Sequence, residues 1–294
     1  MSFKYGHVAL VGEPNVGKST LLNKLVGEQL AIVTPKPQTT RHRIAGIINR
    51  EDAQIVVLDT PGFHFSSKPL NVAMLEVVDN VLQEADVICL MLDPKAMNAQ
   101  LNKRLFDRIP KEKVIVVINK ADTITHDEFE KMATSIHTDW GVKEIVVISA
   151  LHDIGVSHLI SLIIDRFTEG QALYPRDAYT QHPTRFLAAE IVRAQVFLQM
   201  GEEIPYITAV AIDEFREPTA ENSVTLIRAA IVVEKESQKA MVIGKHGARI
   251  KEIGVKARLQ IEDLIGSKVF LELFVRVEKQ WTKDRDKIKE FGYV

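Results

Sequence analysis

The stretch Gly12-Glu13-Pro14-Asn15-Val16-Gly17-Lys18-Ser19-Thr20 constrains this chain more than any other, because few folds can use it. It fits G-x-x-x-x-G-K-[ST], a loop whose backbone N–H groups turn inward around phosphate oxygens. The flanks supply the context such a loop needs. His7-Val8-Ala9-Leu10-Val11 is a short apolar run that predicts a buried strand, and residues 19–26, with Leu21, Leu22 and Leu25, predict the start of a helix. Gly12 and Gly17 permit the close backbone approach. Lys18 is placed to reach the outer phosphates, Ser19 to offer its hydroxyl to Mg²⁺, and the helix start to add its partial positive charge. The stretch predicts a nucleoside-triphosphate site.

At 294 residues the chain has room for two domains of ordinary size. Its 46% hydrophobic and 26% charged residues are those of a globular protein. A formal net charge of -2 excludes a global attraction to nucleic acid, so any basic binding surface must be local. The single cysteine, Cys89, rules out an internal disulfide, fits a reducing compartment, and lies in an apolar run that predicts a buried, inert thiol. The chain enters its first strand too early for a signal peptide, and no apolar run approaches a membrane span. The nine histidines show no metal-ligand spacing.

After the loop's helix, residues 33–40 are polar and broken by Pro35 and Pro37, which predicts a mobile loop ending in Gln38-Thr39-Thr40-Arg41. A loop threonine here is the expected second protein ligand of Mg²⁺, ordered only when a γ-phosphate is present. Thr39 and Thr40 both qualify; Thr40 is preferred because it is nearer the edge strand predicted over 43–49. Residues 54–58 predict a buried strand that delivers Asp59-Thr60-Pro61-Gly62 at its carboxyl end. In this D-x-x-G pattern Asp59 would hold Mg²⁺ through a water and the Gly62 N–H would sense the γ-phosphate. Lys18, Thr40 and Gly62 are thus the candidate catalytic residues. Phe63 follows, where Ras-like enzymes carry a water-orienting glutamine. A phenyl ring cannot do that, so hydrolysis should be slow or use another group.

The strand over 114–118 delivers Asn119-Lys120-Ala121-Asp122. The Asp122 carboxylate can accept two hydrogen bonds from the N1–H and N2–H₂ edge of guanine, a donor pair that adenine lacks. Asn119 is expected to brace the phosphate loop and the Lys120 stem to cover the base. Ser149-Ala150-Leu151, after the last strand, places the Ala150 N–H for the guanine O6. Strands alternating with helices predict a doubly wound α/β domain over 1–172 that binds GTP or GDP with Mg²⁺.

Residues 173–183 show no period and predict a linker. From 184 to 294 the pattern is helix, two strands joined by a turn with Pro218 and Asn222, two helices, a strand and a short helix. Gly244-Lys245-His246-Gly247 falls between the paired helices. A G-x-x-G so placed is the clamp of a KH domain on single-stranded backbone. Lys245, Arg249 and Lys251 give the basic excess that phosphates require, and Val242, Ile243, Ile250 and Ile253 are candidates to wall a groove for bases. A helix-turn-helix with a solvated basic face is the competing pattern.

These motifs together, from Gly-Glu-Pro-Asn-Val-Gly-Lys-Ser through Asp-Thr-Pro-Gly-Phe and Asn-Lys-Ala-Asp to Val-Ile-Gly-Lys-His-Gly, resemble the Era family of bacterial GTPases over almost the whole chain. The resemblance implies a P-loop GTPase domain followed by a smaller α+β type II KH domain. It also implies binding to the 3′ end of 16S ribosomal RNA, assistance in assembly of the small (30S) ribosomal subunit, and a monomeric state. The implied location is cytoplasmic, with peripheral association at the inner face of the plasma membrane. Two other readings stay open: a GTPase whose second domain binds protein or membrane, and a passive RNA-binding protein with a structural nucleotide.

Overall fold

The computed structural model describes all residues except 1, 65, 202, 220–222 and 294, so Asn222 of the expected turn lies outside the described residues. The chain divides into two compact units, Met1–Ser66 with Met74–Gln181 and Ser67–Ala73 with His182–Val294.

In the first half, strand and helix alternate: β1 (Lys4–Gly12), α1 (Lys18–Val26), β2 (Ile44–Asn49), β3 (Ala53–Asp59), α2 (Pro69–Glu84), β4 (Val87–Leu92) and α3 (Ala99–Phe106). Then come β5 (Val114–Ile118), α4 (His126–Trp140), β6 (Ile145–Val147), α5 (Val156–Asp165) and the two-residue β7 (Thr168–Glu169). The sheet order is β2-β3-β1-β4-β5-β6; β2 is antiparallel to β3, the rest are parallel, and β7 pairs antiparallel with the start of β1. Every residue of β3, β4 and β5 is buried. That burial explains why these strands read as unbroken apolar runs: a parallel sheet covered by helices on both faces has no wet side. Each such Val, Ile or Leu contributes about 1.5–3 kcal/mol of transfer free energy. Cys89 lies inside β4 and its thiol is pushed up to about 12 by burial, the inert state expected.

The helix α4 was not foreseen, although its start was written in the sequence. Thr125 accepts from the Glu128 N–H while the Glu128 carboxylate accepts from the Thr125 N–H at 2.8 Å, a capping box. Part of the expected linker is also bound rather than free. The Leu173 and Tyr174 N–H groups donate to Gln54 Oε1, Asn49 Nδ2 donates to the Ala178 carbonyl and the Ile47 N–H to the Tyr179 carbonyl. Thr180 Oγ1 donates to the Ala45 carbonyl at 2.7 Å. Residues 173–180 thus lie along the β2 edge and cover backbone groups that an edge strand would otherwise expose.

The second half runs α6 (Thr184–Gln199), β8 (Ala209–Arg216), β9 (Thr225–Val233), α7 (Glu236–Ile243), α8 (Ala248–Ile265), β10 (Val269–Val277) and α9 (Arg285–Glu290). The sheet order is β10-β9-β8, with β9 and β10 parallel and β8 antiparallel to β9. Ile227, Ala229, Ile231 and Val233 of β9 face Val192, Val196, Val242, Ile253, Ala257 and Ile261 in one core. Inside α6 the buried Glu190 and Arg193 pair with each other, which keeps both charges compensated away from water.

Candidate nucleotide site and nucleic-acid groove

The strand carboxyl ends bring the first set of motifs to one cleft of about 520 Å³, lined by the phosphate loop, residues 32–35 and 38–40, Gly62 and Lys120. Gly17 opens α1 with φ 99° and no side-chain cap, so the first N–H groups of the helix have no partner from a side chain. A Cβ on Gly17 would sit 2.2 Å from Asn119 Nδ2, so no other residue fits here without displacing Asn119. Gly62 is tight for space, since a Cβ there would meet Pro14 at 2.7 Å.

Three oxygen-bearing residues separated in sequence converge beside the loop. Ser19 Oγ donates to Asp59 Oδ2 at 2.6 Å and lies 2.9 Å from Thr40 Oγ1. Thr39 points elsewhere: its hydroxyl donates to the Lys36 carbonyl at 2.7 Å and sits 2.6 Å from Thr34 Oγ1. Of the two hydroxyls, that of Thr40 lies beside Ser19 and that of Thr39 beside Thr34 and Lys36. Burial pushes the Asp59 carboxyl up to about 6, against the pull of Lys18 and the hydrogen bonds from Ser19 and Thr40. Its Oδ1 is buried with no hydrogen-bond partner. A buried carboxylate short of positive charge, with one oxygen unpartnered and two hydroxyls beside it, fits a hard divalent cation such as Mg²⁺. Lys18 donates to the Gly12 and Glu13 carbonyls at 3.1 and 2.8 Å, and burial pushes its ammonium down to about 8.

Several predicted residues also have partners within the protein that fix the loop. The Glu13 carboxylate accepts from the Asn98 N–H and from Asn102 Nδ2. Asn15 Nδ2 donates to the Pro35 carbonyl at 3.0 Å, Val16 is buried, and Thr60 Oγ1 donates to the Leu10 carbonyl at 2.8 Å. Pro61 and Gly62 are buried, while Thr20 is half-buried on the first turn of α1. Phe63 is 1% exposed, with its N–H donating to the Gly12 carbonyl, so its ring belongs to the first core.

At the base end, Asn119 Nδ2 donates to the Val16 carbonyl at 2.8 Å and Asn119 Oδ1 accepts from the Ala150 N–H at 2.9 Å. This departs from one expectation: the Ala150 N–H, expected to meet the guanine O6, here donates to Asn119. Ser149 Oγ donates to Asp122 Oδ1 at 2.6 Å, and that bond holds the carboxyl below its ordinary range. Leu151 is exposed beside it. Asp93, which the motif reading passed over, pairs its carboxylate with Lys120 Nζ and so aims the Lys120 stem. Its signal was its place just beyond β4, a strand carboxyl end.

In the second unit Gly244 has φ 74°, and a Cβ there would lie 2.7 Å from Arg249 Cβ. Beyond it, α8 and β10 enclose a groove of about 290 Å³ lined by Ile250, Lys251, Gly254, Val255, Arg258, Leu271 and Leu273. The loop residues Lys245 and His246 are exposed and Gly247 and Ile243 half-buried. Among the described residues Lys245 and Lys251 have no ion-pair partner, whereas Arg249 is drawn back to donate to the Met241 carbonyl at 2.8 Å. Val242 is a further correction. It and Ile253 are fully buried in the core, so neither side chain lines the groove. The groove's second wall, Leu271 and Leu273, was readable only as an alternating strand.

Fold and sites together define the class: a P-loop GTPase followed by a KH domain. Residues 7–120 match the family described as 50S ribosome-binding GTPase, and residues 203–282 match the KH domain family. GTPase Era of Geobacter metallireducens is 42% identical over 293 residues, 99% of this chain and 98% of its own length. GTPase Era of Nitratidesulfovibrio vulgaris is 42% identical over 297 residues, 98% of this chain and 96% of its own. Among solved structures, a variant of Aquifex aeolicus Era bound to GDP·AlF4⁻ gives a TM-score of 0.93 at 40% identity, covering 99% of this chain and 100% of that one. Era in complex with MgGDPNP and nucleotides 1506–1542 of 16S ribosomal RNA gives 0.94 at 40% identity, covering 99% of each. The chain belongs to the Era family of GTPases.

Proposed function

We propose that this chain is a Mg²⁺-dependent GTPase that binds the 3′ end of 16S ribosomal RNA and assists assembly of the small ribosomal subunit. The observation that carries the nucleotide half is the convergence of Ser19, Thr40 and the half-satisfied Asp59 beside a cleft lined by Lys18 and Gly62. In this reading Ser19 and Thr40 hold the metal directly and Asp59 through a water. The metal, when bound, neutralises charge on the β- and γ-phosphate oxygens. Lys18 leaves the Gly12 and Glu13 carbonyls for the phosphates, residues 12–20 cradle them, and the Gly62 N–H senses the γ-phosphate. Thr60 and Pro61 fix that turn. Asp122, oriented by Ser149, reads guanine; Asn119, locked by Ala150, ties base to phosphate loop, and Lys120 and Leu151 flank the ring.

Position 63, where Ras-like enzymes carry the water-orienting glutamine, holds the core-buried Phe63, so unaided turnover is slow or uses another group. Phosphate release with excess GTP tests this directly. We expect multiple turnovers that stop on chelation of Mg²⁺ and are absent with ATP; a single turnover followed by arrest would mark a structural nucleotide instead.

For the RNA half, Gly244, Lys245, His246 and Gly247 grip backbone, Lys251 contacts phosphate, and Ile243 with the α8–β10 groove receives bases. Arg249 contacts phosphate once released from the Met241 carbonyl. The domain limits in this reading are 1–172, 173–183 and 184–294. The exposed apolar residues Met241, Leu259, Phe270 and Phe274 favour a second reading in which the KH unit also meets protein. The chain works as a monomer in the cytoplasm and touches the inner face of the plasma membrane only peripherally, which light scattering and vesicle flotation test. No helix of the described residues is long and apolar enough to cross a membrane.

A further inference from the structure

A side-chain bridge that no motif accounts for joins the two segments on the phosphate side of the cleft. His64, two residues after Gly62, has Nδ1 3.0 Å from the Gly62 carbonyl oxygen and Nε2 3.0 Å from Gln38 Nε2. One arrangement satisfies both contacts. A carbonyl oxygen can only accept, so Nδ1 carries the proton and donates, leaving Nε2 to accept from the Gln38 carboxamide.

Gln38 stands two residues before Thr40 and lines the nucleotide cleft. Its φ of 59° lies in the left-handed region, uncommon for a residue with a side chain, and such a conformation persists only where its surroundings hold it. The contact with the His64 imidazole ties down the Gln38 carboxamide. Phe63, between Gly62 and His64, is committed to the first core by its buried ring and its N–H bond to Gly12. The polar reach of this segment toward residues 33–40 therefore passes to His64.

We propose that Gln38 and His64 form a latch that holds the 33–40 loop against the Asp59–Gly62 turn. Through it, Thr40 and the Gly62 N–H come to the metal and the γ-phosphate together. Both are positioning residues, since neither is argued to touch a reacting atom. The proposal rests on the GTPase reading. A latch of this kind lets the order imposed on one loop lower the entropy cost of ordering the other. Its effect belongs to the GTP state, because GDP lacks the phosphate on which both segments close.

The test compares the full chain with Gln38→Ala, His64→Ala and the double variant. Two quantities are read at saturating Mg²⁺: the single-turnover rate of GTP hydrolysis, and the ratio of affinities for a non-hydrolysable GTP analogue and for GDP. Losing one linked pair of hydrogen bonds should slow each single variant about three- to tenfold and lower the affinity ratio by a similar factor. GDP affinity should stay within about twofold of wild type, which also certifies that the unit is folded. The double variant should be no slower than the slower single, because each substitution already breaks the same latch. Singles within twofold of wild type, or effects that multiply in the double variant, would overturn the proposal. If one single variant loses GDP binding, the other carries the test through the affinity ratio. No turnover by the unmodified chain would instead contradict the GTPase reading, and the affinity ratios would then decide the latch by themselves.

Discussion

Asn119 shows how one side chain can join two ends of a ligand site. Its carboxamide donates to the phosphate loop at Val16 and accepts from the Ala150 N–H, so the loop and the base-reading segment hold one geometry. Its position also explains why a side chain at residue 17 is excluded. Asp122 is oriented independently, by Ser149. Asp122→Asn exchanges an acceptor pair for a mixed donor and acceptor, which suits the xanthine edge. Each charge-assisted hydrogen bond lost is worth about 1.5–3 kcal/mol, so GTP affinity should fall on the order of 10²–10⁴-fold while xanthosine triphosphate binding appears. Direct titration of the variant with fluorescent GTP and with fluorescent xanthosine triphosphate checks this. Equal loss of both would mean that Asp122 supports the fold rather than reads the base.

Among the elements, those ending at the nucleotide cleft were the most legible. The apolar runs of β1, β3 and β5 are buried on both faces and deliver Gly12, Asp59 and Asn119 beside one another, as their spacing implied. What stayed hidden has physical causes. Residues 173–180 bond to Gln54, Asn49 and the β2 backbone, partners more than a hundred residues away, so no local period marks them. Val242 sits in α7, only eight residues long, too short for its sequence to show which face is inward. Thr39 and Thr40 are adjacent in the chain, and only the fold shows that one faces Ser19. The clamp between α7 and α8 carries its own prediction. Gly244→Asp places a side chain against Arg249 and a negative charge where phosphate should lie. Affinity for a short single strand should drop at least about tenfold, with GTP hydrolysis unchanged. Unchanged RNA binding measured by anisotropy would favour the protein-binding reading of this unit.

The molecule as a whole carries a net charge of -2, so the RNA affinity proposed for it would have to come from local features such as Lys245 and Lys251 and should fall steeply with salt. A chain with a nucleotide site and an RNA groove works as a switch only if the two are thermodynamically linked, and linkage is reciprocal. Such linkage would make RNA affinity depend on which nucleotide is bound. The direct measurement is the affinity for a single strand from the 3′ end of 16S ribosomal RNA, at fixed salt, with GDP and with a non-hydrolysable GTP analogue. Coupling free energies of about 1–3 kcal/mol are typical, so binding in the GTP form should be about 5–150-fold tighter. Equal affinity in the two states would contradict the switch and leave two independent sites on one chain.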